Sequence, residues 1–255
     1  MKSLVACIKK EFLDIYRSGK LLIIGLLFVA FGIMNPAIAK LTPWLLEIFA
    51  ESLEESGMTI TEVTVNALTS WIQFFKNIPM ALIVFVLMFG AIFTKEYDRG
   101  TLVIILTKGL DRYKIVLSKI IVLVLLWTIG YFICYYVTYI YNDFFWDNSI
   151  VNNLTLGVIN WWLFGIFVIA LIVLFSVCCK TYSMVLLGTG SVVMGCYVIS
   201  LIPKIKYLLP ITLIQTNNLL AGIDNNKFIP TIVITSVISI ISFLISIPIM
   251  TKKEI

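Results

Sequence analysis

The chain has 255 residues, of which 60% are hydrophobic and 13% charged, with a net charge of +5 and a mean hydropathy of +1.04. Soluble domains are about half apolar and about a quarter charged, so this composition excludes a soluble globular protein and indicates one all-α integral membrane domain over residues 1–255. Histidine is absent and the five cysteines form no CxxC pair, which excludes His-dependent hydrolases and predicts no metal site.

Residues 1–19 predict a helix that lies in the membrane interface. Apolar residues recur at helical spacing on one face, and charged residues occupy the other face. The apolar face consists of Val5, Ile8, Phe12 and Ile15, and the charged face of Lys10, Asp14 and Arg17. A simple positive-inside anchor without a partner is the alternative interpretation.

Six apolar runs are candidate membrane-spanning helices, because about 20 residues at about 1.5 Å each cross the hydrocarbon core. The predicted spans are residues 21–39, 78–93, 115–140, 157–179, 183–202 and 229–250. The first run ends in a small-residue motif like that of a secretory leader. The segment before it is long and carries Glu11 and Asp14, so we expect a retained span.

The basic residues predict the orientation of the chain. With a cytoplasmic N-terminus, 14 of the 19 Lys and Arg residues fall on the inside and 5 on the outside. The positive-inside rule therefore favours both termini in the cytoplasm. Because these charges sort by membrane side and form no single soluble basic face, nucleic acid is not expected as a partner.

Between the first two spans, Thr42 and Pro43 predict the start of a separate helix outside the membrane, and Gly57 its end. One face of that helix is acidic, beginning with Glu47 and Glu51. The acidic face either guides cationic cargo or is simply a solvated surface.

The connection over residues 95–114 contains an apolar run, Leu102 to Leu106, which is unusual for a polar loop. Thr101 is a suitable N-cap and Gly109 a suitable terminating residue, so residues 101–108 predict a helix of about 12 Å. A short helix with an apolar face must pack against something, either the membrane surface or a soluble partner.

Three segments after residue 114 carry further signals: the third span, the fifth span and the connection before the last span. Trp127, Tyr131 and Tyr135 in the third span either line a path for apolar cargo or form an aromatic belt and packing contacts. Ser191 and Gly195 in the fifth span have the small-xxx-small spacing of closely packed helices. Residues 203–228 are apolar but too short to cross twice, which predicts a re-entrant hairpin entered from the outside.

The sequence lacks a nucleotide-binding motif and lacks acidic residues and arginine in its spans, which makes two classes of function less probable candidates than the others. No GxxxxGK[ST] motif occurs, so the chain has no Walker A loop with which to bind nucleotide. The cores of the predicted spans contain no Asp, Glu or Arg, whereas ion-coupled carriers usually place ionisable groups at mid-membrane. An ion-coupled secondary transporter is therefore the least supported class.

The residues after the second span resemble those of the permease subunit of type-2 ATP-binding-cassette (ABC) exporters. The resemblance is carried by Glu96, Gly100-Thr101, Leu102 to Leu106, Arg112 and Lys119. This chain has Lys108-Gly109-Leu110 where the family often has proline. The family's interface helix is similar to Lys9-Lys10-Glu11-Phe12 with Arg17, and its hairpin before the last span to Tyr207-Leu208-Leu209-Pro210.

The resemblance implies an ATP-driven exporter in the bacterial cell membrane. Residues 101–108 are then a coupling helix that contacts a separate ABC ATPase. The implied coupling residues are Glu96, Arg99, Gly100, Thr101, Leu102, Ile105, Lys108 and Arg112. Two ATPase subunits and a second permease chain, identical or homologous, complete the unit. ATP and Mg bind to the ATPase, and no cofactor binds to this chain.

Small permeases of this kind resemble exporters of antimicrobial or cytolytic amphipathic peptides, including phenol-soluble-modulin exporters of Gram-positive bacteria. Hydrophobic or amphipathic cargo, foremost peptides, is therefore the expected substrate class. The rival interpretation is a membrane immunity or sensor protein that binds peptides without transporting them.

Overall fold

The computed structural model describes residues 2–48, 65–98, 100, 101, 107, 110–220, 222 and 228–252. Within these residues the chain is helical and contains no strand. The helices are α1 Lys2–Arg17, α2 Lys20–Ile48, α3 Ala67–Phe89, α4 Thr94–Asp98, α5 Arg112–Phe145, α6 Leu154–Cys178, α7 Tyr182–Ile199, α8 Asn217–Leu220 and α9 Phe228–Lys252. Six of them are long and apolar enough to cross a membrane, which confirms the predicted fold class.

Helix α2 corrects the prediction of a separate helix from Thr42, because α2 runs without a break to Ile48. Thr42 does not cap a helix start, and its hydroxyl donates to the Ile38 carbonyl at 2.7 Å. Pro36 and Pro43 both lie inside α2. A proline leaves the carbonyl four residues earlier without its helical donor, and for Pro36 that carbonyl, on Gly32, accepts from the Thr138 hydroxyl at 3.0 Å.

Helix α3 starts at Ala67, well before the predicted start at residue 78. Asn66 caps it, since the side-chain oxygen of Asn66 accepts from the Thr69 amide at 3.1 Å. The added turns carry Lys76, which is exposed. An exposed lysine can extend its ammonium group to the membrane surface while its stem stays on the helix, so it need not mark the end of a span.

Hydrogen bonds between helix ends show which of those ends lie together at the same end of the bundle. The Arg112 guanidinium at the start of α5 donates to the carbonyls of Met250 and Thr251 near the end of α9, each at 3.3 Å. The Tyr182 hydroxyl at the start of α7 donates to the Leu87 carbonyl near the end of α3 at 2.9 Å. We call this the α1 end. At the opposite end, the Trp71 indole donates to Asn148 at 3.0 Å.

Helix α6 is the centre of the bundle and packs against α5, α7 and α9, while α2 packs against α3 and α5. The face of α9 toward this core is a stripe of small polar residues. These are Thr231, Thr235, Ser239, Ser242 and Ser246, all buried. Small residues let helix backbones approach closely, which accounts for the tight α6–α9 contact.

Glycines make room for aromatic rings on the other faces of α5 and α6. A Cβ on Gly165 of α6 would lie 2.1 Å from the Trp127 ring of α5, and a Cβ on Gly130 would lie 2.4 Å from the Phe28 ring of α2. By contrast, Gly190 and Gly195 of α7 have no atom within 4 Å of such a Cβ. Of the three glycines of α7, Gly188 is closely approached, with the Phe175 ring 2.6 Å from its Cβ position.

The segment before α9 is irregular. Pro210–Ile214 forms a short 3-10 helix that contacts α6, α7 and α9, and its residues from Pro210 to Leu213 are buried. Backbone of this kind inside a membrane protein must be covered by protein. The re-entrant course of residues 203–228 stays a prediction, and residues 221 and 223–227 lie outside the described part.

We predict that Gly165→Ala destabilises the protein by about 1–3 kcal/mol, because its new methyl group overlaps the Trp127 ring and overfills a packed contact. Gly25→Ala is the matched control, since it is also a helical glycine but has open space around it. It should stabilise the protein by about 0.5–1 kcal/mol through helix propensity. Thermal unfolding in detergent measures both, and equal shifts for the two variants would contradict the packing described here.

Candidate functional site

Three elements converge at the α1 end and bring four charged side chains together. Helix α1 supplies Lys10 and Glu11, and α5 supplies Lys119 from just above its start. After α3 ends at Phe89, a short turn leads into α4, which supplies Glu96. Glu96 therefore stands at the point where the chain leaves the bundle for the 99–111 connection.

The four side chains form a closed ring in which ammonium and carboxylate groups alternate. Lys119 Nζ lies 2.9 Å from Glu11 Oε2 and 3.1 Å from Glu96 Oε2. Lys10 Nζ lies 2.9 Å from Glu11 Oε1 and 2.8 Å from Glu96 Oε1. Each carboxylate thus bridges both ammonium groups, and each ammonium bridges both carboxylates. We call this set the four-charge ring.

The ring is buried on one side and open on the other. The side chain of Lys119 is 1% exposed and that of Glu11 7% exposed, whereas the side chain of Lys10 is 48% exposed. The Phe93 ring lies 5.2 Å from Lys119 Nζ. An unpaired charge at the position of Lys119 would be strongly destabilising, so this packing requires a carboxylate beside Lys119, and Glu11 and Glu96 each supply one.

The surroundings of Lys10 and Glu11 on α1 favour the charged form of each side chain. Burial alone would raise the pKa of the Glu11 carboxyl, but Lys119 and Lys10 outweigh burial and hold that pKa below its usual range. Burial would lower the pKa of Lys10, but Glu11 and Glu96 outweigh it and raise that pKa. The contribution of Glu11 to stability is present at neutral pH and is lost as the pH falls through its folded-state pKa. That of Lys10 is lost only as the pH rises through its own.

The predicted coupling residues lie partly inside and partly outside the described residues. Arg99, Leu102, Ile105 and Lys108 lie outside them. Gly100 has a φ of 63°, a left-handed conformation that favours glycine. The Thr101 hydroxyl donates to the Glu96 carbonyl at 3.5 Å. Arg112 is held by α9, as described above, so the two ends of the connection are attached to different parts of the bundle.

The interface-helix residues divide between the ring and the surface. Lys10 and Glu11 belong to the ring, while Lys9, Phe12 and Arg17 are exposed. Of the predicted apolar face, Ile15 is buried against the bundle, whereas Val5 is 63% exposed. The helix therefore packs through Glu11 and Ile15 and leaves apolar residues on its outer side, as an interfacial helix requires.

The candidate substrate-path residues differ in their exposure. Trp127 and Tyr131 are fully buried, and both donate to carbonyls of α6, at Trp162 (3.1 Å) and Val158 (2.8 Å). Tyr135 is half-buried and lines a surface recess of about 490 Å³ at the opposite end. The recess also contains Tyr136, Tyr139, Asp143 and Asp147.

The bundle also contains a buried polar cluster that was not predicted from the sequence. Asn35 of α2 is fully buried, and its amide donates to the Thr138 hydroxyl at 3.1 Å. Asn77 of α3 donates to the Asn35 side-chain oxygen at 2.8 Å. The cluster joins α2, α3 and α5 inside the bundle. An asparagine directly before a proline in an apolar run was the available signal, because both residues disturb a span and need a compensating partner.

We predict that Lys119→Met destabilises the protein by about 3–5 kcal/mol, because it leaves two carboxylates to share Lys10. The double variant Glu11→Gln/Lys119→Met should recover much of this loss, since Lys10 and Glu96 stay paired at 2.8 Å. Lys114→Met is the control. Lys114 is on the same helix as Lys119 but pairs with the exposed Asp111, which directly precedes that helix. Its replacement should leave the melting temperature unchanged. Losses that simply add in the double variant would show that the ring is not an energetic unit.

The sequence profile described as "ABC-2 family transporter protein" matches residues 5–251. This match includes all six apolar helices and all four members of the ring. No curated protein matches the chain at a significant level. Because the family profile extends from α1 to α9, the chain belongs to the ABC-2 family of transporter proteins and is a multi-pass membrane permease of an ABC transporter, distinct from the ATPase that the family works with.

Proposed function

We propose that this permease exports amphipathic peptides and that a separate ABC ATPase drives it through residues 101–108. The observation that carries the proposal is the four-charge ring. It ties the start of the 99–111 connection to α1 and α5 through Glu96, while Arg112 ties its end to α9. A force applied to residues 101–108 therefore reaches three helices at once.

The topology supports a cytoplasmic position for this connection. Residues 95–114 start and end at the α1 end, where α9 also ends. The segments at that end carry 14 of the 19 Lys and Arg residues. The positive-inside rule therefore favours a cytoplasmic α1 end, where ATP and Mg are available to the partner subunit. The unit we propose contains two permease chains, identical or homologous, and two ATPases.

The recess at the end opposite α1 indicates the class of cargo. Three tyrosines and two aspartates line it, so it offers aromatic surface beside negative charge. The Ser149 amide donates to Asp147 at 2.8 Å and holds the pKa of that carboxyl below its usual range. Such a surface suits cationic amphipathic peptides, because aromatic rings take apolar side chains and the carboxylates attract lysine and arginine.

Co-expression with an ABC ATPase, sought first among the genes next to that of the permease, tests the partnership. We predict a stable complex with one ATPase per permease when the tag is on the permease alone. Replacing Leu102 to Leu106 with polar residues should abolish co-purification, since this apolar run is the proposed contact with the ATPase. A permease that purifies without a partner would favour the immunity or sensor interpretation, and transport that follows an ion gradient without ATP would favour a secondary carrier.

Two variants separate binding from coupling in the same complex. Glu96→Gln should retain the ATPase but uncouple hydrolysis from export, because the ring loses one of its two carboxylates. Lys95→Gln is the matched control, being the exposed neighbour in α4. Export at the wild-type rate by Glu96→Gln would show that the ring does not transmit force.

We predict that cationic amphipathic peptides raise the ATPase rate of the reconstituted complex. The double variant Asp143→Asn/Asp147→Asn should weaken this stimulation by about fivefold to tenfold for cationic peptides, since each exposed charge contributes modestly. Stimulation by neutral peptides is the internal control and should not change. Stimulation by lipids or drugs with no response to any peptide would overturn the peptide assignment.

A further inference from the structure

A short break separates α3, which ends at Phe89, from α4, which begins at Thr94. Helices are usually ended or kinked by a proline or by a glycine in the left-handed conformation. Residues 90–93 contain no proline, and Gly90 has an ordinary right-handed backbone, with φ −59° and ψ −25°. The local sequence therefore does not require α3 to end here, and the cause of the break lies in its surroundings.

Three side chains from three other helices donate hydrogen bonds to backbone carbonyls at this break. The donors with their acceptor carbonyls are Tyr182 of α7 with Leu87 at 2.9 Å, Lys20 of α2 with Met88 at 2.7 Å, and Ser176 of α6 with Gly90 at 3.1 Å. We call these three donors the carbonyl clamp. An ammonium group at the end of a helix, like that of Lys20, is also favoured by the helix dipole.

The same carbonyls would serve the backbone if the helix continued. In an α-helix each carbonyl accepts from the amide four residues later, which here means the amides of Ala91, Ile92 and Thr94. The Ile92 amide instead donates to the Phe89 carbonyl at 3.0 Å. Among the described amides after Gly90, that of Lys95 is the first to make a regular helical bond, to Ala91 at 3.1 Å. The carbonyl clamp thus takes the place of three backbone donors, and side chains inserted in this way break a helix.

The Thr94 hydroxyl is a second sign that this backbone has another arrangement. Thr94 is 1% exposed, and its hydroxyl has no hydrogen-bond partner among the described residues. Buried hydroxyls are normally paired. A threonine inside a helix can donate to the carbonyl four residues earlier, which for Thr94 is that of Gly90. In the structure that carbonyl accepts from Ser176, so a continuous helix offers Thr94 a bond that the broken helix does not.

We propose that the break between α3 and α4 is a two-state element held open by the carbonyl clamp. In the open state, which the structure shows, the clamp occupies the three carbonyls. In the closed state the clamp is released, the backbone amides take the same carbonyls, and α3 and α4 form one helix. Three hydrogen bonds are exchanged for three, so their number alone favours neither state. Residues Ala67–Tyr97 are apolar enough to form a single span.

Closing the break changes the position of the four-charge ring. Glu96 lies six residues beyond Gly90, and its carboxylate contacts Lys10 and Lys119. When the helix between them straightens, Glu96 moves relative to α3, and the ring must follow or separate. Tyr182, Lys20 and Ser176 are then positioning residues that decide where Glu96 stands. The use of this movement in export rests on the proposed function, whereas the two states belong to the permease alone.

Hydrogen–deuterium exchange of the purified full chain in detergent tests the two states without the ATPase. Fragmentation resolves the amides of residues 90–97. We expect Ser176→Ala to slow the exchange of the Ala91 and Thr94 amides about fivefold to tenfold, because the freed Gly90 carbonyl favours the closed state and each amide gains a hydrogen bond. Tyr182→Phe, which frees the Leu87 carbonyl, should act in the same direction.

Ser239→Ala is the matched control. Ser239 is also a buried serine, but its hydroxyl donates within its own helix, to the Thr235 carbonyl at 2.7 Å, so exchange at residues 90–97 should equal that of wild type. If the carbonyl clamp were only a cap, its loss would fray the end of α3 and exchange would become faster. Faster or unchanged exchange in both clamp variants would therefore overturn the proposal. This result is independent of co-purification with the ATPase, which tests the proposed function.

Discussion

The burial of one ammonium group, that of Lys119, constrains the whole α1 end of this permease. A side chain that is 1% exposed cannot keep its charge there without partners. Its partners come from two other elements, Glu11 from α1 and Glu96 from α4. The requirement of a single lysine therefore fixes the position of the amphipathic helix and of the short helix before the 99–111 connection. Lys10 completes the balance and brings the ring to the surface.

The structure shows why the number of spans follows from sequence and why their bounds do not. Apolar runs of this length have one stable solution in a bilayer, so six spans were predictable. The end of α2 was not, because Thr42 and Pro43 carry the pattern of a helix start, whereas the Thr42 hydroxyl donates back to the Ile38 carbonyl and α2 continues to Ile48. The donor for the Gly32 carbonyl that Pro36 leaves free, the Thr138 hydroxyl, is 106 residues away and becomes a neighbour only in the folded bundle. The start of α3 at Ala67 lies before the predicted start at residue 78, because the charge of Lys76 interrupts the apolar run although the helix continues through it.

The candidate site was predictable residue by residue but not as an arrangement. Glu96 and Lys119 stand out in a family-like motif, and Lys10 and Glu11 in the pattern of an interfacial helix. Their alternation in one ring depends on how α1, α4 and α5 meet, which no local spacing contains. Similarly, Trp127 and Tyr131 form an aromatic stripe in the sequence, but only the glycine at position 165 and the carbonyls of α6 show that this stripe is packed inside.

Helix α3 connects the ring to the central helix of the bundle. Helix α3 leads through Gly90 into α4, and the Ser176 hydroxyl of α6 donates to the Gly90 carbonyl at 3.1 Å. A displacement of Glu96 is therefore passed to α3 close to a point where α3 is fixed to the central helix. The Tyr182 hydroxyl of α7 also donates to the Leu87 carbonyl of α3 at 2.9 Å. Because the end of α3 is joined to both α6 and α7, a displacement of Glu96 reaches helices that contribute no side chain to the ring.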